Sequence, residues 1–239
     1  MQLIVIAGQA GVGKTTLAHY IACNAFNLGM IPKIMSFAGP LKKEAAEKGY
    51  GKEENPKAYR EYCQTMGLMK REVNPDYWVN KFEEELEELS VEETQDLKDG
   101  KKFWERCVVI DDCRFMNELL LGKKWNGRLI FLSYGDRDIP DADAEWREHE
   151  SEDLANSVAA GDEDTRELFT HILINEGTMS DLAEKARMMT PIWVGAATEE
   201  VPEGDKTPLS KYIEELIDLL LIEQLEYDRP EDEEEEDSD

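Results

Sequence analysis

The chain has 239 residues, with 54 Asp and Glu against 27 Lys and Arg, for a formal net charge of -27. At about 150 residues per domain this fits one large α/β domain or two small ones, long enough to bury a core without metal or disulfide staples. So acidic a surface repels a phosphate backbone and argues against bulk nucleic-acid binding, and no apolar run approaches the roughly 20 residues of a membrane helix. Met1 leads straight into a strand-like segment with no cleavable leader, so a cytoplasmic protein is expected. Cys23, Cys63, Cys107 and Cys113 form no CxxC and have no His at ligand spacing, which reads as reduced thiols.

Residues 2–7 are almost wholly apolar and end at Gly8, the pattern of a strand buried on both faces of a parallel sheet. Residues 15–28 carry a helical apolar stripe that Gly29 ends. A second strand is expected over 33–37. A helix follows over 40–48, with Pro40 in its first turn and Gly49 just beyond it. Residues 59–69 and 75–89 read as helices, and 90–102 as polar and weakly patterned. Residues 106–111, 128–133 and 171–175 supply three more strands, and their alternation with helices predicts βαβ units. Residues 190–208 read as an exposed excursion and 209–225 as an amphipathic helix packed on the domain. Residues 228–239, with nine acids and one Arg, read as a disordered tail.

Gly8-Gln9-Ala10-Gly11-Val12-Gly13-Lys14-Thr15 matches GxxxxGK[ST] without a mismatch, after a strand and before a helix. In such a loop the glycines let backbone N–H groups point at a phosphate, at a helix start whose dipole favours anions. Gly8, Gly11, Val12, Gly13, Lys14, Thr15 and Thr16 are therefore the expected ATP-binding residues, with Lys14 bridging phosphates and the Thr15 hydroxyl on Mg²⁺. The strand over 106–111 ends in Asp111 and Asp112. Asp111 is the expected metal-side carboxylate and Asp112 a partner of Arg114, the alternative being that both acids cap the next helix. No Asn-Lys-x-Asp for reading guanine occurs, and one domain is small for an ATPase motor, which leaves a small-molecule kinase. Arg60 and Arg71 lie in a helical stretch with Tyr59, Tyr62, Gln64 and Trp78 nearby. Guanidinium groups take a monophosphate bidentately, and an amide and an aromatic ring hold a base.

The P-loop, residues 36–42 (SFAGPLK), 62–67 (YCQTMG) and Arg71 resemble the bacteriophage deoxynucleoside monophosphate kinases. Residues 75–80 (PDYWVN), 112–118 (DCRFMNE), 149–152 (HESE) and 175–178 (NEGT) continue the resemblance in order. It implies an α/β three-layer P-loop kinase fold, with a five-stranded parallel sheet, a helical acceptor-binding region over 36–105 and a lid over 135–152, in a domain of residues 1–227. It implies γ-phosphoryl transfer from ATP or dATP, with Mg²⁺, to a deoxynucleoside 5′-monophosphate for viral DNA synthesis, in the host cytoplasm. Ser36, Phe37, Lys42, Arg60, Gln64, Arg71 and Trp78 then line the acceptor site. Lys14, Asp112, Arg114 and the lid residues Arg137 and Arg147 serve catalysis. His149 is expected to be a lid strut, and Asn175 either adjoins the adenine or forms a turn. The expected partners are these nucleotides, with no nucleic acid or membrane and a homodimer as an option. The rival readings are a kinase of another phosphorylated acceptor, such as phosphomevalonate, and a regulatory P-loop ATPase.

Overall fold

In the computed structural model, which describes residues 1–100, 104–134, 150–175 and 177–196, the apolar segments pair into one five-stranded sheet. All of these residues belong to one unit, Met1–Ala197. The strands are β1 (Gln2–Gly8), β2 (Ile31–Met35), β3 (Arg106–Cys113), β4 (Arg128–Ser133) and β5 (His171–Ile174). Their order is β2-β3-β1-β4-β5 and every pairing is parallel. β1 is central because both its faces are apolar. Leu3, Val5 and Ala7 enter one core, while Ile4 and Ile6 enter the other.

Helices cover both faces. On one, α1 (Lys14–Asn27) buries Leu17, Ala18, Ile21 and Ala25 with Leu182, Ala186 and Trp193 of α8 (Met179–Trp193). On the other, α4 (Tyr77–Lys98) buries Val79, Phe82, Leu86 and Leu89, one helical stripe, beside α5 (Met116–Lys124) and α6 (Asp153–Ala159). Two helices, α2 (Gly39–Glu47) and α3 (Pro56–Val73), stand between β2 and α4 in the chain, and α7 (Glu163–Arg166) precedes β5. This is an α/β architecture compatible with the three-layer expectation. Among the described residues, no helix is long and apolar enough to cross a membrane.

The pairing of β1 with β3 slips by one residue between Val5 and Ala7, which face Ile110 and Cys113. An extra residue on one strand is a bulge. Cys113 thereby joins the same core as Val108 and Ile110, although alternation alone would send it to the other face.

Three expectations need correction. Helix α4 runs on through 90–98, read from the sequence as weakly patterned. Glu93 draws that extension onto the sheet, accepting the Arg106 N–H at 2.9 Å and pairing with the Met1 ammonium at 3.1 Å. The first residues of the excursion expected over 190–208 are instead helical, with Thr190 and Trp193 fully buried in the last turn of α8. Residues 197–208, the helix expected over 209–225 and the tail over 228–239 lie outside the described residues. Helix α3 is also longer than its apolar pattern, because Asn55 caps it by accepting from the Ala58 N–H and Pro56 suits its first turn.

Phe82 is fully buried, with its ring 4.6 Å from that of Phe37. Phe82→Ala is expected to lower stability by about 3–5 kcal/mol, as large-to-small changes in a close-packed core do, measured by equilibrium urea unfolding.

Candidate functional site

The carboxyl ends of the strands gather the residues of interest at one edge of the sheet. Between β1 and α1 the chain turns through Gly11 at φ 75° and Gly13 at φ 99°, a left-handed region that a side chain would strain. Gly13 begins α1 without a side-chain cap, so the first amides of the helix stay open to an anion. The loop is held by side chains donating to its carbonyls. Tyr134 Oη reaches Ala10 O at 2.8 Å, and Asn175 Nδ2 reaches Val12 O at 2.8 Å. Lys14 Nζ turns back to Gly8 O at 2.7 Å and Gln9 O at 2.9 Å. The glycines permit this close embrace. A Cβ on Gly11 would lie 2.8 Å from Tyr134 Oη, and one on Gly13 would lie 3.2 Å from Asn175 Nδ2.

Burial first, and then the Arg114 guanidinium, draw the Lys14 pKa down from 10.5 to about 8, against the opposing pull of Glu152, Asp111 and Asp112. One turn into α1, the Thr15 hydroxyl donates to Asp111 Oδ2 at 2.8 Å. Burial pushes the Asp111 pKa up. Thr16 is half-buried in the same turn. A hydroxyl and a carboxylate side by side are hard oxygen donors of the kind Mg²⁺ accepts alongside phosphate and water. Among the described residues there is no group of three or more His, Cys, Asp or Glu that would hold a metal by itself.

Asp112 faces the other way. Its carboxylate accepts from the Phe37 N–H at 2.6 Å, the Ala38 N–H at 3.2 Å and the Ser36 hydroxyl at 2.7 Å. Lys42 Nζ donates to that hydroxyl at 3.1 Å. The expected catalytic Asp112 is thus engaged as a clamp on the β2–α2 turn, and Ser36 and Lys42 form its flank.

Beside the glycine loop opens a cleft of about 720 Å³ whose walls include Ala10, Phe37, Gln64, Arg71, Trp78 and Arg114. Of the residues expected at an acceptor site, Phe37, Gln64, Arg71 and Trp78 come together here. Arg60 does not line the cleft and stands exposed one turn before Gln64 on α3. Trp78 is a buried wall whose indole N–H donates to Gly67 O at 3.3 Å. The Arg71 guanidinium carbon lies 4.7 Å over the Phe115 ring, and its Nε is buried without a hydrogen-bond partner. A desolvated donor is costly to leave unpaired, and the ring beneath it offsets only part of that cost.

At the sequence level, no protein-family model and no curated protein matches this chain.

Three site residues were given no role from the sequence, although Glu118 and Glu152 close the blocks 112–118 and 149–152. Tyr134 follows β4 with no local signal. Glu118 accepts the Arg114 N–H at 2.7 Å and the Phe115 N–H at 3.1 Å, fixing the backbone that carries Arg114. Burial, reinforced by the Asp112 charge, pushes the Glu118 pKa up to about 8. Its place three residues after the N-cap is a capping-box signal, masked because Phe115 stands where Ser or Thr usually does. Glu152 is buried at 3% exposure, accepts the Ala10 N–H at 3.2 Å and lies 3.6 Å from the Arg114 guanidinium. Asn175 spends its amide on the Val12 carbonyl and so braces the loop. Arg137, Arg147 and His149, with the rest of the expected lid over 135–149, lie outside the described residues.

A Lys14 that titrates near pH 8 in the free protein is charged below that pH and neutral above it. Binding of inorganic triphosphate is therefore expected to weaken as pH rises through about 8. The anion favours the ammonium, so binding near this pH takes up protons, detectable by calorimetry in buffers of different ionisation enthalpy.

Proposed function

We propose that the protein is a P-loop phosphotransferase that moves the γ-phosphoryl group of ATP or dATP to a deoxynucleoside 5′-monophosphate. The observation that carries this reading is a nucleotide-sized cleft that Arg71 and Arg114 line and whose wall includes Ala10 of the glycine loop. A phosphate cradle and an anion-seeking cleft that share a wall suit transfer between two phosphates better than simple hydrolysis does. The order of family-like blocks along the chain supports the deoxynucleotide as acceptor, and the flat wall of Trp78 and the amide of Gln64 suit a base.

On this reading the amides at the start of α1 and the Lys14 ammonium bind the β- and γ-phosphates of the donor. Mg²⁺, held by Thr15 and by Asp111 directly or through water, would supply charge neutralisation of the donor phosphates. Arg71 fixes the acceptor phosphate from the Phe115 side. An acceptor phosphate oxygen attacks the γ-phosphorus as the bond to the β–γ bridging oxygen breaks, giving two diphosphates. The acceptor is already an oxyanion, so no strong general base is needed, and catalysis is alignment with charge neutralisation. Arg114, half-exposed at the junction of loop and cleft, is suited to meet the charge on the transferring group.

The test is ADP formation from Mg-ATP with each of dAMP, dGMP, dCMP and dTMP, beside a blank without acceptor. Turnover that needs a dNMP and forms the matching diphosphate is expected, while rates equal to the blank for all four overturn the proposal. Lys14→Ala is expected to abolish turnover. Arg114→Ala is expected to lower kcat by at least about 100-fold. Arg71→Ala is expected to act mainly on the acceptor KM, raising it by about 10- to 100-fold, the range of a lost charge-assisted contact.

A further inference from the structure

Glu152 has no part in the reaction just described, yet its carboxylate stands at the mouth of the phosphate cradle. It sits in a short 3₁₀ turn, Glu150–Glu152, ahead of α6, and is 3% exposed. Burying a carboxylate is costly unless close donors surround it. Among the described residues its partners are the Ala10 N–H at 3.2 Å and the Arg114 guanidinium at 3.6 Å, both long for charge-assisted contacts. Each partner is an anion-binding group, and both adjoin Lys14, whose charge Glu152 favours. An acid is thus positioned as a terminal phosphate would be, touching an amide of the loop and facing the same cations. Its neighbour Glu150 borders the cleft but is exposed, and Asp112 is fully engaged with the β2–α2 turn.

We propose that Glu152 is an internal stand-in for the terminal phosphate of the donor: it keeps Ala10 and Arg114 in a phosphate-ready arrangement, and an incoming donor must displace it. The proposal rests on the P-loop reading of the site. Two anions a few ångströms apart in a largely dry pocket repel strongly, so the γ-phosphate and the carboxylate do not share these partners. Glu152 is therefore a positioning residue that acts through Arg114 and the loop. Its presence lowers donor affinity while sparing the unloaded protein an uncompensated cluster of Lys14 and Arg114.

This gives binding a sign that a merely structural residue would not. Removing a structural brace weakens donor binding, whereas removing a competing anion strengthens it. The experiment is calorimetric titration of the full chain with Mg-ATP and with inorganic triphosphate. The variants are Glu152→Gln, which keeps the shape, Glu152→Ala, which vacates the place, Glu150→Gln as a charge control and Lys14→Ala as a control on the site. Both Glu152 variants are expected to bind each ligand about tenfold more tightly than the unaltered protein, with Glu150→Gln gaining no more than about twofold. Unchanged or weaker binding by the Glu152 variants, when the unaltered protein binds in a Lys14-dependent way, overturns the proposal and leaves the P-loop reading standing. An equal gain from Glu150→Gln overturns it too, since net charge then suffices. Absence of Lys14-dependent binding by the unaltered protein overturns the P-loop reading and this inference together.

Discussion

Two neighbouring carboxylates at the end of β3 look in opposite directions, and the rest of the site is arranged around that divergence. Asp111 turns to the Thr15 hydroxyl at the start of α1, while Asp112 turns to the amides of Phe37 and Ala38 on the other side of the sheet. The alternation of a strand produces this without any special device. The same tie that holds the base of the glycine loop to the sheet therefore lies one residue from the tie that holds the floor of the cleft. The two ties, on adjacent residues, link the two halves of the site, which suits the proposed reaction between two bound phosphates.

A chain with a formal charge of -27 is an unlikely host for multiply charged anions. Its summed field opposes them at long range, although salt screens that field within about 8–10 Å. Local donors must therefore prevail at contact distance. The cations that do so here are sheltered: Lys14 is desolvated and Arg71 is stacked on Phe115. Shelter strengthens a contact but also makes the empty state expensive, and the buried Glu152 beside Lys14 and Arg114 offsets part of that expense.

The strands were legible in the sequence because β1, β3 and β4 are buried on both faces and so read as nearly unbroken apolar runs. Lys14, Thr15 and Asp111 were legible because loop and strand place them locally. Arg71, Gln64 and Trp78 stood out because Arg, amide and aromatic residues gather over 59–78 in an otherwise acidic chain. What stayed hidden depends on long-range contacts. The last turns of α4 are polar to inspection, and only the meeting of Glu93 with Met1 and Arg106 explains them. Tyr134 and Glu152 touch Ala10 from more than 100 residues away, a meeting that neither the isolated Tyr134 nor the block 149–152 announces. Arg60 shows the opposite error, since a basic residue one helical turn from a site residue still ended in solvent.

Helix α3 is 18 residues long, yet Gly67 is its sole buried residue. The indole of Trp78 meets it at that point, and the side chains that face the cleft from it, such as Gln64, Thr65 and Leu68, are exposed. A helix with so little in the core belongs to the softer part of a protein, where local opening costs least. The opposite floor, Phe37 packed against Phe82 and pinned by Asp112, belongs to the stiff part. Anything entering the cleft is thus gauged in two ways: the floor judges its shape, and the α3 wall charges an ordering entropy that only a ligand with enough contacts can recover.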